Sequence, residues 1–211
     1  SLVATSLALQ SYSQINAIVA GKTLEPRWRS MVESRKDIEK GANIWDFVSD
    51  DLPELVFSAC GDYVLKETLF AMKIVKKELP SARLRMSYIS VLSSGAIGLS
   101  KNKLTQSQFD DIFTVEKPVI INFHGYPESL KAILFNYGNS SRFSVHGYIE
   151  KGSTTTPFDM MVRNQTSRWH LAIEAFAKFA EMGRVDIALA DTLIDKYRKI
   201  LLEHSDYIKE N

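Results

Sequence analysis

The sequence predicts an α/β layer structure built on a mostly parallel sheet, and two observations carry that expectation. Apolar runs of strand length end on glycine or histidine–glycine, at Gly61, at His124-Gly125 and at His146-Gly147. Segments with helical spacing of apolar residues stand between them, and alternating strand and helix patterns are what a parallel sheet crossed by helices requires. Of the 211 residues, 45% are hydrophobic and 24% charged, close to the soluble globular average, so a packed core is expected.

In chain order, residues 2–10 are apolar and read as a short helix. Ile15-Asn16-Ala17-Ile18-Val19-Ala20 is an apolar run of strand length, closed by Gly21-Lys22. From Pro26 the character changes to a charged, helix-like segment that stops at Gly41, which places a domain junction near residues 22–25. Residues 54–60 read as a buried strand. Residues 63–79 follow as an amphipathic helix, with apolar positions at Val64, Leu65, Leu69, Ile74 and Val75, and Pro80 closes it. Residues 84–92 form a second strand pattern. Thr105 is the expected cap of a helix around Phe109 and Phe113. Residues 118–123 and 143–148 read as strands on either side of a helix near 130–135. Helices at about 167–182 and 186–204 finish the chain.

Composition excludes several classes. A net charge of +1 offers no field for nucleic acid or an anionic membrane surface. The apolar run 118–123 is far short of the roughly 20 residues a spanning helix needs. The single Cys60 has no intramolecular disulfide partner, which fits a reducing cytoplasm. The chain opens Ser1-Leu2-Val3, with neither an initiator Met nor the basic flank of a signal peptide, as expected of a piece of a longer protein.

Three places offer chemistry, each at a strand end, where open α/β sheets hold ligands. In Ala20-Gly21-Lys22-Thr23, glycine permits close backbone approach and Lys22 offers a mobile positive charge to a phosphate; the glycine spacing of a P-loop is absent. The alternative is a turn with a solvated lysine. In Phe123-His124-Gly125-Tyr126-Pro127, His124 is an anion ligand or proton donor, or else a histidine fixed in a turn ahead of a helix starting at Pro127. The third runs from His146 to Gly152-Ser153-Thr154-Thr155-Thr156-Pro157. Its hydroxyls either hold an anion at a helix N-terminus or make a capped loop used for packing or subunit contact, with Thr156 as the cap and Pro157 in the first helical position. His170 and Glu174 lack a second histidine at metal-binding spacing. Cys60 reads as a small core residue, and Trp28, Trp45 and Trp169 as packing residues.

Together these segments resemble the phosphoketolase family. Lys117-Pro118-Val119 running on to His124-Gly125-Tyr126-Pro127 is similar to its "DKPV…HGYP" stretch. His146-Gly147-Tyr148 followed by residues 152–160 resembles "HGY…GTTTTPFDM". Ala59-Cys60-Gly61-Asp62 resembles "A-x-G-D", and residues 18–22 resemble "IVAGK". One departure is Asn136-Tyr137-Gly138-Asn139-Ser140-Ser141, where many members carry a histidine-containing "NHDN".

The resemblance implies a three-layer sandwich with a mixed five-stranded sheet, like the C-terminal domain of transketolase. It makes residues 1–22 the helix-and-strand tail of a preceding thiamine-diphosphate-binding domain and residues 23–211 the C-terminal domain. It also implies cleavage of xylulose 5-phosphate or fructose 6-phosphate with inorganic phosphate, giving acetyl phosphate. Thiamine diphosphate and Mg²⁺ would sit on the other domains of a homodimer or higher oligomer, with none on this fragment. Lys22 matches the lysine that reaches the substrate phosphate. On that basis the fragment alone is expected to be inactive and to serve assembly and closure of the substrate channel. The rival expectation is a metabolite-sensing module, with His146 and Gly152 to Thr156 holding an anion. The apolar run 15–20 would leave unpaired edge groups, so self-association is expected.

Overall fold

The fold is described by a computed structural model covering residues 2–10, 15–21, 23–92, 103–149, 152 and 154–210. Five strands form one sheet in the order β1-β3-β2-β4-β5, with β1 at Ala42–Ile44, β2 at Leu55–Cys60, β3 at Leu84–Ile89, β4 at Val119–Phe123 and β5 at Phe143–Gly147. Strands β3, β2, β4 and β5 are parallel, and β1 runs antiparallel to β3, pairing Ala42 with Ile89. This is the mixed, mostly parallel sheet that the sequence predicts.

Helices cover both faces. On one side lie α3 (Asp62–Glu78), α7 (Arg168–Glu181) and α8 (Ile187–Glu210). Their Val75, Phe176, Phe179 and Leu193 pack with Leu55, Phe57, Leu84 and Ile120 of the sheet. On the other side lie α4 (Gln106–Phe113) and α5 (Pro127–Leu134), whose Phe109, Phe113, Leu130 and Leu134 meet Val56, Val119 and Ile121. The period-2 alternation of β2 sends Leu55, Phe57 and Ala59 to one cluster and Val56 and Cys60 to the other. Of the remaining helices, α1 (Leu2–Ala8) and α2 (Met31–Lys40) precede the sheet, and α6 (Pro157–Arg163) follows β5. Among the described residues no helix is long and apolar enough to cross a membrane.

Several starts and stops follow from local chemistry. Thr105 caps α4 in a reciprocal box: its hydroxyl accepts from Gln108 N at 3.3 Å, and Gln108 Oε1 accepts from Thr105 N at 2.9 Å. Ser30 and Glu33 do the same for α2, and Gly41, at φ 78°, ends it. Two differences from the sequence reading stand out. Residues 15–20, expected as the strand of a preceding domain's tail, belong to no strand of this sheet. The fifth strand is instead β1, three residues long and too short to leave a period.

One buried ion pair ties the helical layer together. Glu67 of α3 is fully buried and accepts from Arg168 at the start of α7, from the backbone N at 2.9 Å and from Nε at 2.8 Å. Breaking such a pair from the cation side leaves an uncompensated buried carboxylate. Arg168→Met is therefore expected to cost about 3 kcal/mol of unfolding free energy, and Glu67→Gln less, because an amide oxygen still accepts. Urea denaturation of the two variants checks the order.

Candidate functional site

The parallel strands deliver their C-terminal ends to one edge of the sheet. Cys60 of β2 aligns with Phe123 of β4, and Phe123 with Gly147 of β5. The chain turns from β2 into α3 at Gly61, where φ is 120°, a conformation that side chains disfavour. A Cβ there would lie 2.5 Å from the Cβ of His124, so the turn and the neighbouring strand end need glycine. Across the edge, His124 N donates to Cys60 O at 2.8 Å and Tyr148 N to Gly125 O at 2.9 Å.

The segment from Gly21 to Glu25 is fastened to this edge. Gly21 N donates to Asp62 Oδ2 at 2.9 Å, and the Thr23 and Tyr63 hydroxyls share a hydrogen bond of 2.7 Å. Lys66 Nζ reaches both Glu25 oxygens, at 3.0 and 2.9 Å. Lys22 lies outside the described residues; its two neighbours are the ones held. His124 is exposed, and its ring meets that of Tyr63 edge-on at 5.7 Å. Cys60, one residue before the turn, is an unreactive thiol, because burial pushes it up to about 12.

His146 sits at the end of β5 on the face covered by α7. Its Nε2 bonds the Glu174 carboxylate, which Lys178 also approaches at 3.4 Å. Burial alone would raise the Glu174 carboxyl; the bond and charge of His146, with Ser144 and Lys178, outweigh that and hold it at about 2. One turn earlier on α7, His170 Nδ1 shares a hydrogen bond of 2.9 Å with Ser167 Oγ. His146 therefore ties β5 to α7. It also lines a cleft of about 260 Å³ between α5 and α6, alongside Lys131, Arg163 and Asn164.

In the hydroxyl-rich segment, Thr155 and Thr156 turn to the start of α6. Thr156 caps α6, accepting from Asp159 N at 3.2 Å. Asp159 is buried and accepts from Arg163 Nε at 2.6 Å, with His204 Nε2 of α8 at 3.2 Å. Burial would raise its carboxyl; Arg163, Thr155 and His204 outweigh burial and hold it below the ordinary carboxylate value. Gly152 turns with φ 71°, Thr154 is exposed, and Ser153 lies outside the described residues. Among the described residues no three His, Cys, Asp or Glu side chains converge as a metal-ligand set.

The XFP C-terminal domain family matches residues 22–211. This chain belongs to that family. It is similar to probable phosphoketolases from Brucella abortus, 36% identical over 207 residues, and from Bradyrhizobium diazoefficiens, 35% identical over 208. Each match takes in 96% of this chain and 26% of the relative, so the chain spans about a quarter of these proteins. A solved transketolase mutant from Pichia stipitis, in complex with fructose 6-phosphate, shares the fold, with a TM-score of 0.52 and 12% identity. That match covers 69% of this chain and 19% of the transketolase.

In this phosphoketolase C-terminal domain the structure sets His124 against Tyr63, which itself bonds Thr23. It sets His146 apart on the α7 face and gives Thr155 and Thr156 to Asp159. Asp62, Tyr63 and Lys66, which sequence reasoning passed over, prove to hold the incoming segment. The "A-x-G-D" resemblance touched Asp62 alone. The His146–Glu174 pair spans 28 residues and leaves no local signal.

His170 yields a test with a definite sign. Burial first, and then the charge of His146, push its imidazole down to about 4 from an ordinary 6.5. The unfolded chain takes the proton first, so stability falls as pH drops through that window. His170→Gln is expected to lose less stability than the parent between about pH 7 and about pH 5, read from urea midpoints.

Proposed function

We propose that this domain is the C-terminal part of a phosphoketolase that cleaves xylulose 5-phosphate, fructose 6-phosphate or both. The second substrate is inorganic phosphate. The products are acetyl phosphate and glyceraldehyde 3-phosphate or erythrose 4-phosphate. Similarity to probable phosphoketolases across 96% of the chain supports the reading. The observation that carries this domain's share is the fastening of Gly21 and Thr23 at the C-terminal edge of the sheet. Between them stands Lys22, whose ammonium is the point charge suited to a sugar-phosphate group.

On this reading residues 1–22 complete the preceding domain, and residues 23–211 close the substrate channel in a homodimer or larger oligomer in the cytoplasm. Thiamine diphosphate, when bound with Mg²⁺ on the other domains, supplies the carbanion stabilisation that carbon–carbon cleavage needs. This domain supplies a phosphate contact and a wall that excludes water, and by itself it is inactive. A metabolite-sensing role for the hydroxyl segment is disfavoured, since Thr155 and Thr156 already serve Asp159.

The test is acetyl phosphate formation by the full-length protein with thiamine diphosphate, Mg²⁺, phosphate and each ketose phosphate. Lys22→Ala is expected to raise KM for the sugar phosphate roughly 10- to 100-fold, the scale of a lost charge-assisted contact. A full-length protein that forms no acetyl phosphate from either ketose overturns the reading.

A further inference from the structure

The first five residues of α3 carry three side chains that all reach back about 40 residues to the same short segment. Asp62 accepts the Gly21 amide at 2.9 Å, Tyr63 bonds the Thr23 hydroxyl at 2.7 Å, and Lys66 takes Glu25 at 2.9 Å. Residues 21, 23 and 25 of this short segment are thus held at three separate points. Before the segment, residues 15–20 are exposed, and within it Leu24 points to solvent.

The clasp is itself braced. Asp62 stands in the first helical turn, where the helix dipole favours a carboxylate. The Tyr63 ring lies between the Lys66 ammonium, 5.9 Å from its centroid, and His124, 5.7 Å away edge-on. Gly21 fits tightly: a Cβ there would lie 3.3 Å from Tyr63 Cε2 and 3.4 Å from Asp62 Oδ2. Tyr63 thus couples the strap to His124 at the end of β4.

We propose that Asp62, Tyr63 and Lys66 form a clasp that fixes segment 21–25 on the ligand-facing edge, and that Asp62 and Tyr63 are positioning residues for the substrate-phosphate contact. The kinetic half of this rests on the phosphoketolase reading above. Neither residue touches substrate; each acts by holding a neighbour of Lys22. Loss of the clasp therefore weakens sugar-phosphate binding and leaves the chemical step, on other domains, largely intact.

The experiment uses the full-length protein with Asp62→Ala, Asp62→Asn, Tyr63→Phe and Lys22→Ala. It measures kcat, KM for the ketose phosphate and amide hydrogen exchange of a peptide spanning residues 19–25. Asp62→Ala and Tyr63→Phe are expected to raise KM roughly 5- to 30-fold, the effect of one lost hydrogen bond, with kcat within about twofold. Asp62→Asn keeps an acceptor oxygen and is expected to recover most of the loss. Exchange of the 19–25 peptide accelerates in the Ala and Phe variants. Unchanged exchange overturns the clasp. Accelerated exchange with unchanged KM, where Lys22→Ala does raise KM, overturns the positioning role alone. Lys22→Ala without kinetic effect sinks the phosphate contact and the positioning role together, while the exchange result still decides the clasp.

Discussion

Beside Gly61 the backbones of β2 and β4 approach so closely that a methyl group at position 61 would stand 2.5 Å from the Cβ of His124. That approach, with φ at 120°, sets the direction in which α3 leaves the sheet. From it follows the placing of Asp62 and Tyr63 over the strap and of His124 against the Tyr63 ring. A side chain at position 61 would move the strand end, the helix start or both, and the arrangement of the edge would go with them. The parallel register supplies the rest, since it brings Cys60, Phe123 and Gly147 abreast.

Behind the edge, polar groups pin the helices of the α3/α7 face. Asn122 of β4 is fully buried and donates to Val64 O of α3 at 3.2 Å and to Thr166 O ahead of α7 at 2.9 Å. Glu67 holds Arg168, and His146 holds Glu174. These contacts cannot slide as apolar packing can, because each donor has a fixed direction. They give the sheet edge a rigid support.

The architecture was largely legible because β2, β4 and β5 are apolar runs that end at glycine or His–Gly, and because Thr105, Thr156 and Pro157 announce helix starts in local chemistry. The exceptions have physical causes. The run 15–20 has the composition of a strand, yet pairing is a property of the partner, and the run pairs with none of the five strands. Conversely, β1 is three residues long and owes its existence to the free edge of β3. The candidate site was legible only in part. His124 and the neighbours of Lys22 could be picked out as strand-end residues. Their clasp was hidden, since Asp62, Tyr63 and Lys66 look in sequence like any polar first turn. His146 and the hydroxyl segment have the composition of an anion site. Their partners, Glu174, Asp159 and His204, lie too far along the chain for spacing to reveal them.

The most direct test of the account is a structure of the full-length protein with a ketose phosphate bound. The account predicts the sugar's phosphate at the C-terminal ends of β2 and β4, within hydrogen-bonding distance of the Lys22 ammonium, with the Asp62–Gly21 and Tyr63–Thr23 bonds intact. A phosphate seated on another face of this domain, or wholly within the preceding domains and out of reach of Lys22, would contradict it.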